Sequence, residues 1–181
     1  MTLRAFALAP ASIAVLLLAA PASAEEQKVS PVYKASAVLK DASGKEVGTA
    51  IFSTTPSGAL LDLNLTAAQP GVHAVHVHAV GKCEPPDFKS AGPHFNPDNT
   101  KHGIMSQEGP HAGDLPNIHV PGDGKLEVEF LDPVVTLSQE SALLDADGSS
   151  IVIHAGPDDY QTDPAGNSGD RIACGVITAS P

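Results

Sequence analysis

The sequence predicts an all-β domain folded as an antiparallel sandwich or barrel. Three observations carry this reading: short runs alternate apolar and polar residues, turn residues separate those runs, and only Ser138 to Asp147 has the character of a helical turn. In LLDLNLT, Leu61, Leu63 and Leu65 fall on one face and Asp62, Asn64 and Thr66 on the other, the period of a half-buried strand. KLEVEFL repeats the pattern, with Leu126, Val128 and Phe130 inward and Lys125, Glu127 and Glu129 outward.

Residues 1–24 carry one basic residue, Arg4, then an apolar run that ends at Ala22-Ser23-Ala24. This is the pattern of a cleaved secretory signal peptide, and the run is short for a membrane span. Cleavage after Ala24 leaves 157 of the 181 residues, enough for one domain with a proper core. Residues 25–31 are polar and read as a flexible N-terminus, and the domain runs over 32–181. Strands are expected near 32–40, 46–54, 59–67, 72–80, 125–131, 134–138, 149–155 and 171–178. Turn residues at 41–45, 56–58, 69–71 and 122–124 punctuate them. Two connections, 81 to about 123 and 155–170, are too long for simple turns, so they are expected to be functional and tethered.

Without Arg4, nine basic residues face 21 acidic ones, a formal charge of −12. Such a surface repels nucleic acid and anionic membranes, so neither is an expected partner. An exported chain lives where disulfides persist, which favours a bridge between Cys83 and Cys174 over two buried thiols.

All eight histidines lie between His73 and His154, and seven of them within 47 residues. That density points to metal. His76 and His78, two apart in VHAVHVHAV, project from one face of a strand, while Val75 and Val77 take the other. His73 has the opposite parity and reads as a supporting or structural residue. His154, ending the IVIH strand, can add a further nitrogen, and imidazole clusters without thiolate suit Cu(II). In the long loop His94, His102, His111 and Asp114 offer three nitrogens and one carboxylate, a tetrahedral set for structural zinc. His119 lies outside these sets and reads as exposed or structural.

The ordered motifs HVH, AGPHFNP, KHG, PHAGDLPN, IVIHAGPDD and GNSGDRIACGVI resemble copper-zinc superoxide dismutase of the secreted bacterial kind, over His73 to Ile177. The resemblance implies an eight-stranded Greek-key sandwich or flattened barrel of immunoglobulin-like architecture, of which this family is a familiar example. It implies one copper per subunit on His76, His78, His94 and His154, and one zinc on His94, His102, His111 and Asp114, with His94 as the bridge. It also implies that Asp158 links a ligand of each metal, with Asp159 as the competing choice, and that Cys83 and Cys174 are paired.

The activity implied is dismutation of superoxide to oxygen and hydrogen peroxide, an antioxidant role outside the cytoplasm, in the periplasm of a Gram-negative bacterium. Superoxide is the expected small-molecule partner, and homodimers are among the assemblies of this family. From Leu126 onward the chain has ten acidic residues and one basic residue, Arg171. That arginine is a candidate anion guide beside the metal, with a surface pair to Asp170 as the alternative. Lys82, Lys89 and Lys101 are the other cations able to attract an anion to this acidic chain. A copper-storage domain on the same fold is the competing function; reconstituted activity measured alongside metal content separates the two.

Overall fold

The structure is a computed structural model and describes residues 33–138 and 141–180. The expected signal peptide and the polar stretch 25–31 lie outside the described residues. Among the described residues nine strands are formed: β1 Lys34–Asp41, β2 Glu46–Thr55, β3 Gly58–Leu65, β4 Gly71–His73, β5 Val75–His78, β6 Ile118–Val120, β7 Leu126–Asp132, β8 Ser149–His154 and β9 Arg171–Ser180. Seven pair in the order β5-β8-β9-β1-β2-β3-β7, and β4 pairs with β6. Every pairing is antiparallel.

Alternation creates the core. Leu61, Leu63 and Leu65 of β3 are buried with Phe52 of β2, Ile151 and Ile153 of β8, and Val75 and Val77 of β5 in one cluster. Residues from both ends of the strand order meet there, so the sheet curls around a single interior. Glu127 and Glu129 on β7 face solvent, and charge on an edge strand discourages pairing with other chains.

The expected strand at 72–80 is two strands. At Ala74 it changes partners, from β6 on one side to β8 on the other. Ala74 spans this corner by donating to the Gly156 carbonyl and accepting from His154 N–H. No strand forms at 134–138. Asp132 instead accepts from the backbone N–H groups of Val134 and Val135, which turns the chain and tucks Val135 and Leu137 into the core. β6 arises within the long loop, where three residues in the pattern buried, exposed, buried were too short a signal to read. Of the expected helical turn, the described part contains a single 3-10 turn, Ala142–Leu144, which buries Leu143.

β5 is buried on both faces, with valines to the core and histidines to the loops. The long loop lies alongside it and makes backbone hydrogen bonds: Val77 N to Gly113 O at 2.9 Å, Phe95 N to Val77 O at 2.8 Å and Ala79 N to Pro93 O at 2.9 Å. Any Cβ at position 113 would collide with the Val77 carbonyl, so glycine is required there.

Cys83 and Cys174 form a disulfide that ties the loop to β9 across a sequence separation of 91. Around it Phe88, Ala91 and Val152 form a second small apolar cluster. The closed loop is long, so the Cys83→Ser/Cys174→Ser protein is expected to lose about 4–5 kcal/mol of unfolding free energy in the chain-entropy account. Denaturant titration of the two proteins at equal metal loading measures this.

Candidate metal centre

β5 presents His76 and His78 from the same face, and β8 pairs alongside, with Val152 opposite His76 and Ser150 opposite His78. His154 ends β8, and His94 comes from the loop through a bridge to His78. All four side chains are buried.

Their hydrogen bonds fix which nitrogen carries the proton. His78 Nδ1 faces the Gly92 carbonyl at 2.9 Å, and His154 Nδ1 faces the Gly169 carbonyl at 3.2 Å. Carbonyls only accept, so both rings are protonated at Nδ1 and keep the Nε2 lone pair. His76 is reversed: its Nε2 donates to Asp158 Oδ2 at 2.7 Å, leaving the lone pair on Nδ1. Among the described residues, His76 Nδ1 and the Nε2 atoms of His78, His94 and His154 are buried without a hydrogen-bond partner. The ligand atoms of these four residues lie within 4.8 Å of one another. Buried polar atoms are normally satisfied, so four converging exceptions fit a cation that takes nitrogen ligands.

The second group shares His94. Asp114 Oδ2 accepts from the backbone N–H groups of Gly103 at 2.8 Å and His111 at 3.0 Å. That anchoring turns Oδ1 toward the Nδ1 atoms of His94, His102 and His111, at 2.9, 3.0 and 3.3 Å. Three ring nitrogens converging on one carboxylate oxygen form a compact N₃O set suited to zinc.

Asp158 joins the groups, since Oδ2 accepts from His76 Nε2 and Oδ1 meets His102 Nε2 at 3.0 Å. Asp159 is exposed and instead stabilises its own loop by accepting from Thr162 and Asn167. Asn117 and Tyr160 were not identified from sequence, yet both hold Asp158. The Asn117 amide pairs with the backbone of Asp158 in both directions, and Tyr160 N donates to Asp158 Oδ1 at 2.6 Å while its hydroxyl accepts from Asn117 N. Neither residue is a ligand, so no motif of ligand types could have revealed them.

His73 is buried and spans two backbone carbonyls, those of His154 and Gln69. His119 is exposed on β6. Arg171 pairs with His154 across β8 and β9 and donates to the carbonyls of Phe88 at 2.8 Å and Gly92 at 2.7 Å. Among the described residues no ion pair joins it to Asp170. Lys89 shares a cleft with Arg171, and Lys101 is paired with Asp163 at 3.6 Å on the side of the N₃O group.

Burial lowers the pKa of three rings in the first group, to about 4 for His76, about 2 for His78 and about 3 for His154. They are therefore neutral imidazoles at physiological pH, the form able to ligate a metal. For His102 burial also opposes charge, but hydrogen bonds with Asp114 and Asp158 outweigh it and raise the pKa to about 9. Both carboxyls are held well below the usual range, because contacts with the imidazoles overcome the cost of burial.

The family model for copper/zinc superoxide dismutase (SODC) matches residues 46–177. A copper-zinc superoxide dismutase from Aquifex aeolicus is 48% identical over 152 residues, covering 82% of this chain and 90% of the relative. A copper-zinc superoxide dismutase from Caulobacter vibrioides is 48% identical over 147 residues, covering 79% and 84%. The crystal structure of a SOD-like protein from Bacillus subtilis aligns with a TM-score of 0.74 at 40% identity, over 78% of this chain and 96% of that one.

In the metal-free protein the His102 charge stabilises the fold fully below its unfolded pKa near 6.5, and that contribution is lost as pH rises through about 9. A zinc ion taken up by the N₃O group would have to displace this proton to reach Nδ1. Zinc uptake at pH 7 to 8 is therefore expected to release a proton from His102, with that contribution vanishing above pH 9 or so. Calorimetric titration in buffers of different ionisation enthalpy counts the protons released.

Proposed function

This chain belongs to the copper/zinc superoxide dismutase family, and we propose that it dismutes superoxide with copper held by His76, His78, His94 and His154 and zinc held by His94, His102, His111 and Asp114. The observation that carries the assignment is the convergence of four buried, unpartnered ring nitrogens, one of them on a histidine whose other nitrogen belongs to the neighbouring group. Copper bound there would supply alternating one-electron exchange, taking an electron from one superoxide and giving it to a second; with two protons taken up from solvent the products are oxygen and hydrogen peroxide.

The chain's own residues do the rest. Arg171 and His154 line one cavity of about 240 Å³, which is roomy for a diatomic anion. Two of the guanidinium nitrogens are fixed by carbonyls, so the positive charge is held in place beside His154, and among the described residues no carboxylate forms an ion pair with it. Among the described residues its other N–H groups have no partner, which leaves them to hold superoxide. In the metal-free protein His94 Nδ1 donates to Asp114 Oδ1 and Nε2 keeps the lone pair; were zinc to take Nδ1, Nε2 would be the nitrogen left to carry a proton for the product. Asp158 keeps His76 in the tautomer that leaves Nδ1 available. Asp114, through Oδ1, keeps His94 turned so that Nε2 faces the all-nitrogen group.

The same reading makes residues 1–24 a cleaved signal peptide and 32–181 the catalytic domain, working in the periplasm of a Gram-negative bacterium and free of membrane. The disulfide supports an oxidising compartment. Homodimers are among the assemblies of this family, and sedimentation at micromolar concentration measures which assembly the mature protein adopts.

The His76→Ala protein, loaded with copper and zinc, is expected to lose dismutation while remaining folded and binding zinc; normal turnover would refute the ligand assignment. Arg171→Ala is expected to keep copper but lower kcat/KM on the order of tenfold, with a weaker salt dependence, because a fixed positive charge beside the copper has gone. Pulse radiolysis across a range of ionic strengths measures both.

A further inference from the structure

We propose that Ser168 is a positioning residue for His154, its hydroxyl serving as a second acceptor on the ring nitrogen that points away from the metal group. The inference rests on the assignment of His154 to copper.

Ser168 is buried, and its Oγ lies 3.1 Å from His154 Nδ1 and 2.9 Å from the Ala165 carbonyl. The carbonyl can only accept, so the single hydroxyl proton goes to Ala165 and a lone pair faces the imidazole. Gly169 O, 3.2 Å from the same Nδ1, is also only an acceptor. His154 therefore carries its proton on Nδ1, shared between two oxygens, and its Nε2 keeps the lone pair in the four-nitrogen group. His78, by contrast, has the single Gly92 carbonyl as its Nδ1 acceptor among the described residues.

Two consequences follow from the forked acceptor. It resists rotation of the ring about χ2, which a single carbonyl at 3.2 Å would hold less firmly. An oxygen that is itself donating is also a better acceptor, so the chain from His154 through Ser168 to Ala165 draws on the Nδ1 proton and makes Nε2 more basic.

The turn bearing Ser168 is itself well anchored. The Ser168 carbonyl accepts from Gly156 N at 2.9 Å, and the Thr162 carbonyl accepts from Gly166 N at 2.7 Å. A Cβ on Gly166 would strike the Asp158 carboxylate, with His102 Nε2 close behind, so this turn abuts the carboxylate between the two groups as well as His154. Asn167 adds bonds from its Nδ2 to Asp159 and Thr162 on the exposed side.

Ser168→Ala removes the hydroxyl and adds no volume. In zinc-loaded mature protein, chelator competition is expected to show copper affinity about tenfold weaker, the low end for loss of a supporting partner because the Gly169 carbonyl stays. The Cu(II) EPR spectrum should shift and zinc affinity should hold. Asn167→Gly is the comparator: it deletes the outer bonds of the turn but tolerates the left-handed backbone at φ 52°, and it should keep the parent affinity and spectrum.

A Ser168→Ala protein with parental copper affinity and spectrum overturns the proposal, as does Asn167→Gly reproducing the loss. Should Ser168→Ala fail to fold, NMR of the zinc-loaded parent decides: the His154 proton is expected on Nδ1, and a proton on Nε2 overturns the proposal. If His154→Ala keeps parental copper affinity, the copper assignment itself is wrong; copper binding that depends on His154 but ignores Ser168→Ala faults the serine alone.

Discussion

One buried carboxylate ties the two metal groups together. Asp158 accepts a hydrogen bond from His76 through one oxygen and meets His102 through the other, so the orientation of a ring in each group is set by the same side chain. A carboxylate buried this deeply is costly unless its oxygens are hydrogen-bonded. Here the N–H of Tyr160 and the two imidazoles supply three such bonds, and Asn117 clamps the Asp158 backbone on both sides. The two sites are therefore mechanically coupled in the protein itself, before any shared ligation by His94 is considered.

A loop of some 40 residues could not hold ligands to within tenths of an ångström if the metals were its only tether. The structure supplies others. The loop runs beside β5 and uses that strand's free edge for backbone hydrogen bonds, it is bound to β9 by the disulfide, and Phe88 and Ala91 pack into a small apolar cluster on the outside of the barrel. The Gly92 carbonyl serves twice, fixing the tautomer of His78 and one guanidinium nitrogen of Arg171. The segment that supplies His94 thus also positions the residue proposed to receive the substrate.

Charge is partitioned in the same economical way. The chain is strongly acidic, yet the all-nitrogen group is lined by rings that burial keeps neutral, and its mouth carries a fixed guanidinium. Lys101 is largely spent on Asp163, whereas Lys89 shares the Arg171 cleft, although it too has an acidic neighbour in Asp87.

Much of this was legible in the order of the residues. Period-two alternation gave β3 and β7 with the correct faces, and the spacing of His76 and His78 put both on one side of a strand, because side-chain direction along a strand follows parity alone. Ligand chemistry and family motifs identified the histidines that come together. What parity and composition could not supply were contacts made across distant segments: the change of partner at Ala74, β6 with its three residues, and the burial of Val135 and Leu137 in place of a strand. Asn117, Tyr160 and Ser168 escaped for the same reason. Each acts on a residue that only folding brings near, and a serine or asparagine carries no signal of its role until a buried imidazole or carboxylate needs its hydrogen bond. The sequence by itself determined which atoms could bind metal; the tertiary structure decided which lone pair each one presents, because a tautomer is set by the partner on the far side of the ring.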